Sequence, residues 1–210
     1  MKNPSQIVFF AILTSLPTVV TANDFTGARI ETHVGYDEPS IGFNSSRLSD
    51  SGIVYGVGAG YDLGVGERFI VGIDANVELS TTGSSSTRDL SSFPGNPIGL
   101  TGSITNSTHF GRDLSIGARA GVIVRKKNLI YVGANYSNAR RRDSQITSSS
   151  SPFLFGNNFN FVSDLHGWRV NAGIEHKLRN GFFAKIEYRH SDYQFGDRRD
   201  QVFGGFGVRF

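Results

Sequence analysis

Gln201-Val-Phe-Gly-Gly-Phe-Gly-Val-Arg-Phe210 forms the last ten residues of the sequence. Counting back in steps of two gives Phe210, Val208, Phe206, Gly204 and Val202. Between them lie Arg209, Gly207, Gly205, Phe203 and Gln201. One row is apolar, and the other is small or polar with one aromatic. A period of two is the mark of a β-strand. The ends of water-soluble domains usually fray, so a terminal strand this aromatic needs a partner. A closed barrel supplies one, because its last strand pairs with its first and no edge is left.

The bulk composition agrees. Of 210 residues, 19% are charged, 26 are Gly and none is Cys. Charge is below the usual quarter, and Gly is above its usual share of about 7%. The absence of Cys excludes a disulfide scaffold, a thiolate zinc site and a thiol nucleophile. A formal charge of +3 does not argue for a nucleic-acid partner. No cofactor or metal site is expected.

Residues 1–22 read as a cleaved secretory signal peptide. Lys2 opens a short basic region, an apolar run follows from Ile7 to Leu16, and Val20-Thr-Ala22 offers small residues before Asn23. A transmembrane helix is disfavoured there, because the run falls short of about 20 residues and Pro17 interrupts it.

Residues 23–210 carry eight alternating segments. They are 28–36, 53–63, 69–80, 113–124, 129–138, 167–178, 182–191 and the terminal strand. Phe69 to Ser80 is the cleanest. Phe69, Val71, Ile73, Ala75, Val77 and Leu79 share one face, and Asp74, Asn76 and Glu78 lie on the other. Asn180-Gly181 is a hairpin signal. Segments of about ten residues, even in number, fit strands tilted across a bilayer. Alternation alone does not distinguish a membrane barrel from a soluble sandwich. Three further features favour the barrel.

Connections alternate short (64–68, 125–128, 179–181) and long (37–52, 81–112, 139–166, 192–200), as turns and loops do in such barrels. The apolar rows end in aromatics at two levels: Tyr36, Tyr55, Tyr136, Trp168 and Tyr188 on the loop side, and Tyr61, Phe69 and Phe182 on the turn side. These read as interfacial girdles. The secretory signal is the third feature. The expected fold is all-β, an eight-stranded antiparallel up-and-down transmembrane β-barrel, monomeric, with its long loops outside.

The polar row mixes Gly with both signs of charge. Arg29, Arg119, Arg169, Lys177, Lys185, Arg189 and Arg209 oppose Glu31, Asp74, Glu78, Glu175 and Glu187. Eight strands enclose a space that side chains just fill, so these charges must pair. An ion-paired plug is expected, with Gly56, Gly58, Gly60, Gly121 and Gly173 leaving room for long basic side chains.

The mature chain resembles small eight-stranded bacterial outer-membrane barrels of the OmpA, OmpX and opacity-protein kind, with alphaproteobacterial surface antigens most similar. The resemblance is carried by Tyr55-Gly-Val-Gly-Ala-Gly-Tyr-Asp-Leu63, Ala184-Lys-Ile-Glu-Tyr-Arg-His-Ser-Asp-Tyr193 and Gly205-Phe-Gly-Val-Arg-Phe210. It implies an outer-membrane location in a Gram-negative cell, reached through the periplasm. It makes Phe210 part of the signal read by the barrel-assembly machinery. Outer-membrane lipid and lipopolysaccharide are the implied surroundings, with a host or surface ligand at the loops. No peptidoglycan-binding domain is read after the barrel.

Other motifs are weaker. Gly56-Val-Gly-Ala-Gly60 lacks the third glycine and the helix of a dinucleotide fingerprint. His190-Ser191 suggests a lipid A hydrolase, but adjacent strand residues point to opposite faces. Arg140-Arg141-Arg142 and Arg198-Arg199 read either as solvated loop charges or as partners for lipopolysaccharide phosphates. Phe153, Phe155, Phe159 and Phe161 stand out in a Ser/Asn-rich loop and read as a partner contact or an extension of the wall. Three functions are compared: a structural or adhesive surface barrel, a narrow pore or ligand-uptake barrel, and a lipid-modifying enzyme.

Overall fold

A computed structural model describes residues 23–40, 51–92, 101–149 and 158–210. The expected signal peptide lies outside the described residues. Nine strands are found among the described residues: β1 (Gly27–Ser40), β2 (Gly52–Val65), β3 (Phe69–Ser80), β4 (Gly83–Asp89), β5 (Gly102–Val124), β6 (Asn128–Ser149), β7 (Phe159–Lys177), β8 (Phe182–Tyr193) and β9 (Arg198–Arg209).

Every pairing is antiparallel. Neighbours run β3-β2-β1-β9-β8-β7-β6-β5, and β3 pairs with β5 as well. That last pairing closes a ring of eight strands, an up-and-down barrel. The seam between chain ends runs from Arg29↔Arg209 to Ser40↔Arg198, so the terminal strand does cover the first. β4 is the ninth strand. It pairs with β5 alone, from Gly83↔His109 to Asp89↔Ser103, and stands above the ring.

Tight turns close one end. Asn180 and Gly181 have φ of 56° and 78°, the left-handed pair that a two-residue hairpin needs. Arg125 and Lys126 take the same region at 52° and 60° without glycine.

At the other end the segments expected as long loops are largely strand. β5 and β6 pair as far as Gly102↔Ser149, with one register shift between Phe110 and Asp113. At about 3.3 Å per residue, the 23 residues of β5 extend about 75 Å, well beyond a tilted bilayer crossing. The reading as loop failed because Ser, Thr, Asn and Arg fill both faces there. With no apolar row the period does not show in the sequence, and neighbouring strands hold each other by backbone pairing and by polar side-chain contacts such as Ser107 Oγ to Ser85 and Thr108 Oγ1 to Asp143.

The outer surface is apolar. Ile73 is 64% exposed, Ile186 68% and Val132 61%, within a continuous belt of Val, Ile and Leu. A patch of this extent requires lipid or protein cover. All eight expected girdle residues point outward with it, from Phe182 at 41% to Phe69 at 57% exposed.

Candidate functional site

The interior is charged. At the turn end, buried Asp62 on β2 accepts from Arg29 Nε (3.2 Å), Arg119 Nε (2.9 Å) and Nη2 (2.5 Å), and Arg209 Nη1 (2.9 Å). Glu175 accepts from Arg119 (3.3 Å) and Arg209 (2.7 Å). One layer up, Glu31 accepts from Arg29 (3.2 Å) and Lys185 (2.5 Å). Glu187 accepts from Arg189, from Tyr131 Oη (2.5 Å) and from Asn171 Nδ2 (3.2 Å). Glu78 accepts from Arg189 and from Arg169 (3.4 Å), and His33 Nε2 lies 3.1 Å from it.

At the loop end, Asp113 accepts from Arg169 (2.5 Å), Arg199 (3.0 Å), Tyr193 Oη (3.0 Å) and Ser137 Oγ (2.7 Å). Asp37, one residue beyond the Tyr36 girdle and outside the membrane-spanning part of β1, accepts from Arg199, Ser80 Oγ, Thr82 Oγ1 and Gln201 Nε2. Burial alone would raise the Asp37 carboxyl, but Arg199 and the two hydroxyls outweigh it and hold it below the usual carboxylate range.

Two apolar clusters bound this column. Phe25, Ile70, Leu129 and Tyr131 pack at the turn end, and Phe110, Ala139, Leu165 and Tyr193 at the loop end. Guanidinium planes lie over their rings, with Arg119 4.8 Å from the Tyr131 centroid and Arg199 5.1 Å from that of Phe110. A recess of about 220 Å³ opens at the turn end and reaches Phe25 and Arg209.

Close approach across the lumen explains several glycines. A Cβ on Gly60 would sit 2.7 Å from Arg29 Nη2, and one on Gly173 2.6 Å from Tyr131 Oη. Gly60 is the one that makes room for a basic side chain. Gly56, Gly58 and Gly121 face Glu78, Glu31 with Asn76, and Leu129 instead.

Ten of the twelve interior residues expected from sequence meet in this network. Asp74 and Lys177 do not. Asp74 lies in register with Gly117, which in turn pairs with Asn135, so amides supply its hydrogen bonds and no ion pair reaches it among the described residues. Asn135 and Asn76 donate to its Oδ2 at 3.0 and 3.3 Å, and Oδ1 has no partner among the described residues. Lys177 ends β7 at the rim and pairs with Asp24 at 2.8 Å.

Sequence reasoning missed Asp37, Asp62, Asp113 and His33, and its reading of Arg199 as an outward loop charge is overturned, because that side chain is buried in the interior against Asp37 and Asp113. His33 alternates in step with Arg29 and Glu31, and Asp62 with Gly56, Gly58 and Gly60. Asp37, Asp113 and Arg199 keep the inward parity of their strands, and that parity was the available signal.

His190 and Ser191 do point apart. Ser191 Oγ is buried and accepts from Arg169 Nε at 2.8 Å, while His190 Nδ1 lies 2.7 Å from Asp200. Phe159 and Phe161 extend β7 above the ring, 55% and 62% exposed. Phe153 and Phe155 lie outside the described residues. Phe210 is 73% exposed, and its N–H donates to the Ala28 carbonyl at 2.8 Å.

The model of a family described as an outer membrane protein beta-barrel domain matches residues 8–210. Neisserial surface protein A is similar in fold, with TM-score 0.52 at 17% identity, covering 88% of this chain and 98% of its own. The attachment invasion locus protein of Yersinia pestis, solved with the heparin analogue sucrose octasulfate, gives TM-score 0.48 at 13% identity over 88% and 99%. No curated protein matches the chain.

Proposed function

Because the chain belongs to the outer membrane protein beta-barrel domain family, we propose that it serves as a non-enzymatic, non-conducting surface barrel. Its work is then structural or adhesive, done by the strands that rise above the ring. The observation that carries this reading is the filled lumen: a column of paired charges between two apolar clusters. A pore needs a continuous wet path. Here a passing ion would have to break several buried pairs at once, each costing about 3–5 kcal/mol to disrupt.

The same reading assigns the remaining roles. Residues 1–22 act as an export signal and leave the mature chain. The turns and both chain ends face the periplasm, and Phe210 with the β9 edge is presented to the assembly machinery. His190 and Ser191 face opposite sides of the wall, which supports a chain without hydrolase chemistry.

Planar-bilayer recording of the refolded protein tests the proposal. Silence is expected from barrels that show heat-modifiable migration on a denaturing gel. Steady unitary conductance from the same preparation would replace the plug with a narrow channel. Acyl-chain release from lipid A by the purified barrel would instead restore the enzyme.

A further inference from the structure

The outer wall above the loop-side girdle carries a basic cluster. Going up β6, the outward residues are Tyr136, Asn138, Arg140 and Arg142, in the same row as lipid-facing Ile130 and Val132. Arg140 pairs across with Asp164 on β7, and Arg142 with Val162, while His109 on β5 lies opposite Arg142. The register shift between Phe110 and Asp113 brings Arg112 outward beside Arg140.

Charge here is unbalanced. Arg140 Nε contacts Asp164 at 3.1 Å, and Arg112 Nη2 lies 3.8 Å from the same carboxylate. Arg142 is exposed and has no ion pair among the described residues. Two guanidiniums therefore share one carboxylate, and the third has none among the described residues. Arg112 Nε also has no acceptor there.

Height decides what could fill the gap. Arg140 is four residues above Tyr136, about 13 Å along the strand and about 10 Å along the normal at a tilt of about 40°. A phospholipid leaflet has an interfacial layer of only about 5–8 Å. The cluster thus sits just beyond ordinary headgroups. That depth suits a lipid whose phosphates are carried on a sugar. Below it, Tyr136 and His166 stack with centroids 6.1 Å apart and give a flat surface for such a sugar.

We infer that Arg112, Arg140 and Arg142 form an outward-facing site for the phosphates of an outer-leaflet glycolipid. Planar guanidinium forks match phosphate geometry. The inference rests on the orientation proposed above, with the long strands outside.

The test is retention of lipopolysaccharide by refolded barrels in a non-ionic detergent. The wild type is compared with the triple variant Arg112→Gln/Arg140→Gln/Arg142→Gln, both first checked for heat-modifiable migration. Wild type is expected to hold the lipid about tenfold more tightly, and enzymatic removal of its phosphates should erase the difference. Inorganic phosphate should compete only in large excess. Equal retention by the two folded barrels, or undiminished binding of dephosphorylated lipid, overturns the site. Binding of a soluble sulfated sugar in preference to the lipid would also overturn it, by assigning the arginines to a free polyanion. A labelling reagent confined to the cell exterior that fails to reach a Cys placed at Ser148 would mark failure of the orientation instead.

Discussion

Asp62 on β2 and Arg119 on β5 meet inside the barrel through two hydrogen bonds, 2.9 and 2.5 Å long, and that carboxylate is shared with Arg29 and Arg209. Three guanidiniums share this acceptor, with only Glu31 beside Arg29 and Glu175 beside Arg119 and Arg209 to fall back on. Asp62→Ala should cost about 3–5 kcal/mol, because it leaves three buried guanidiniums to share two carboxylates rather than merely removing a contact. Urea unfolding in detergent, followed by the shift between folded and unfolded gel bands, measures it.

Asp74 makes the opposite forecast. It has no ion pair, and one oxygen no hydrogen-bond partner, among the described residues. Asp74→Asn should leave stability unchanged or raise it by about 1 kcal/mol, since a buried carboxylate without a counter-charge is costly. A drop as large as that of Asp62→Ala in the same unfolding assay would place a cation against Asp74.

Gly173 is held small by Tyr131, whose hydroxyl would lie 2.6 Å from an added Cβ while donating to Glu187. Gly173→Val should lower stability by about 1–3 kcal/mol through overpacking. Adding Tyr131→Phe should not recover it, because the ring stays and the bond to Glu187 is lost. Equilibrium unfolding of the single and double variants decides the point.

Acid should loosen the loop end first. The Asp37 carboxyl is held below its usual range, so its contribution is complete above the ordinary Asp value of about 4 and is lost as pH falls through the lower folded value. Amide protection in β9 near Arg199, corrected for the intrinsic exchange rate at each pH, should therefore fall below about pH 4, and Asp37→Asn should flatten that dependence. Unchanged protection in the wild type down to pH 2 would remove Asp37 from the account.

The lower two-thirds of the barrel was legible because lipid demands an unbroken apolar row. Phe69 to Leu79 could be read as a strand without any partner in view. Interior charges could be placed by parity, and Arg29, Glu31 and Arg119 followed from it. The upper third could not be read this way. Ser103 to Thr108 and Ser144 to Ser149 are strands because their neighbours are, and no single-sequence period records that. Asp74 and Lys177 share the polar row with true network members. What separates them is the cross-strand neighbour and the height on the wall, and both depend on register.

Ring closure has a consequence for the order of events during biogenesis. β1 and β9 are the first and last strands, so their pairing spans nearly the whole described chain. Until β9 arrives, the β1 edge is bare and Asp62 and Glu175 lack Arg209. The half-made structure is therefore both sticky and electrically unfinished, and contacts so distant in sequence form slowly. A single late step removes both defects. That gives the nascent chain a sharp distinction between incomplete and complete, one that any escort need only hold open until the final ten residues dock.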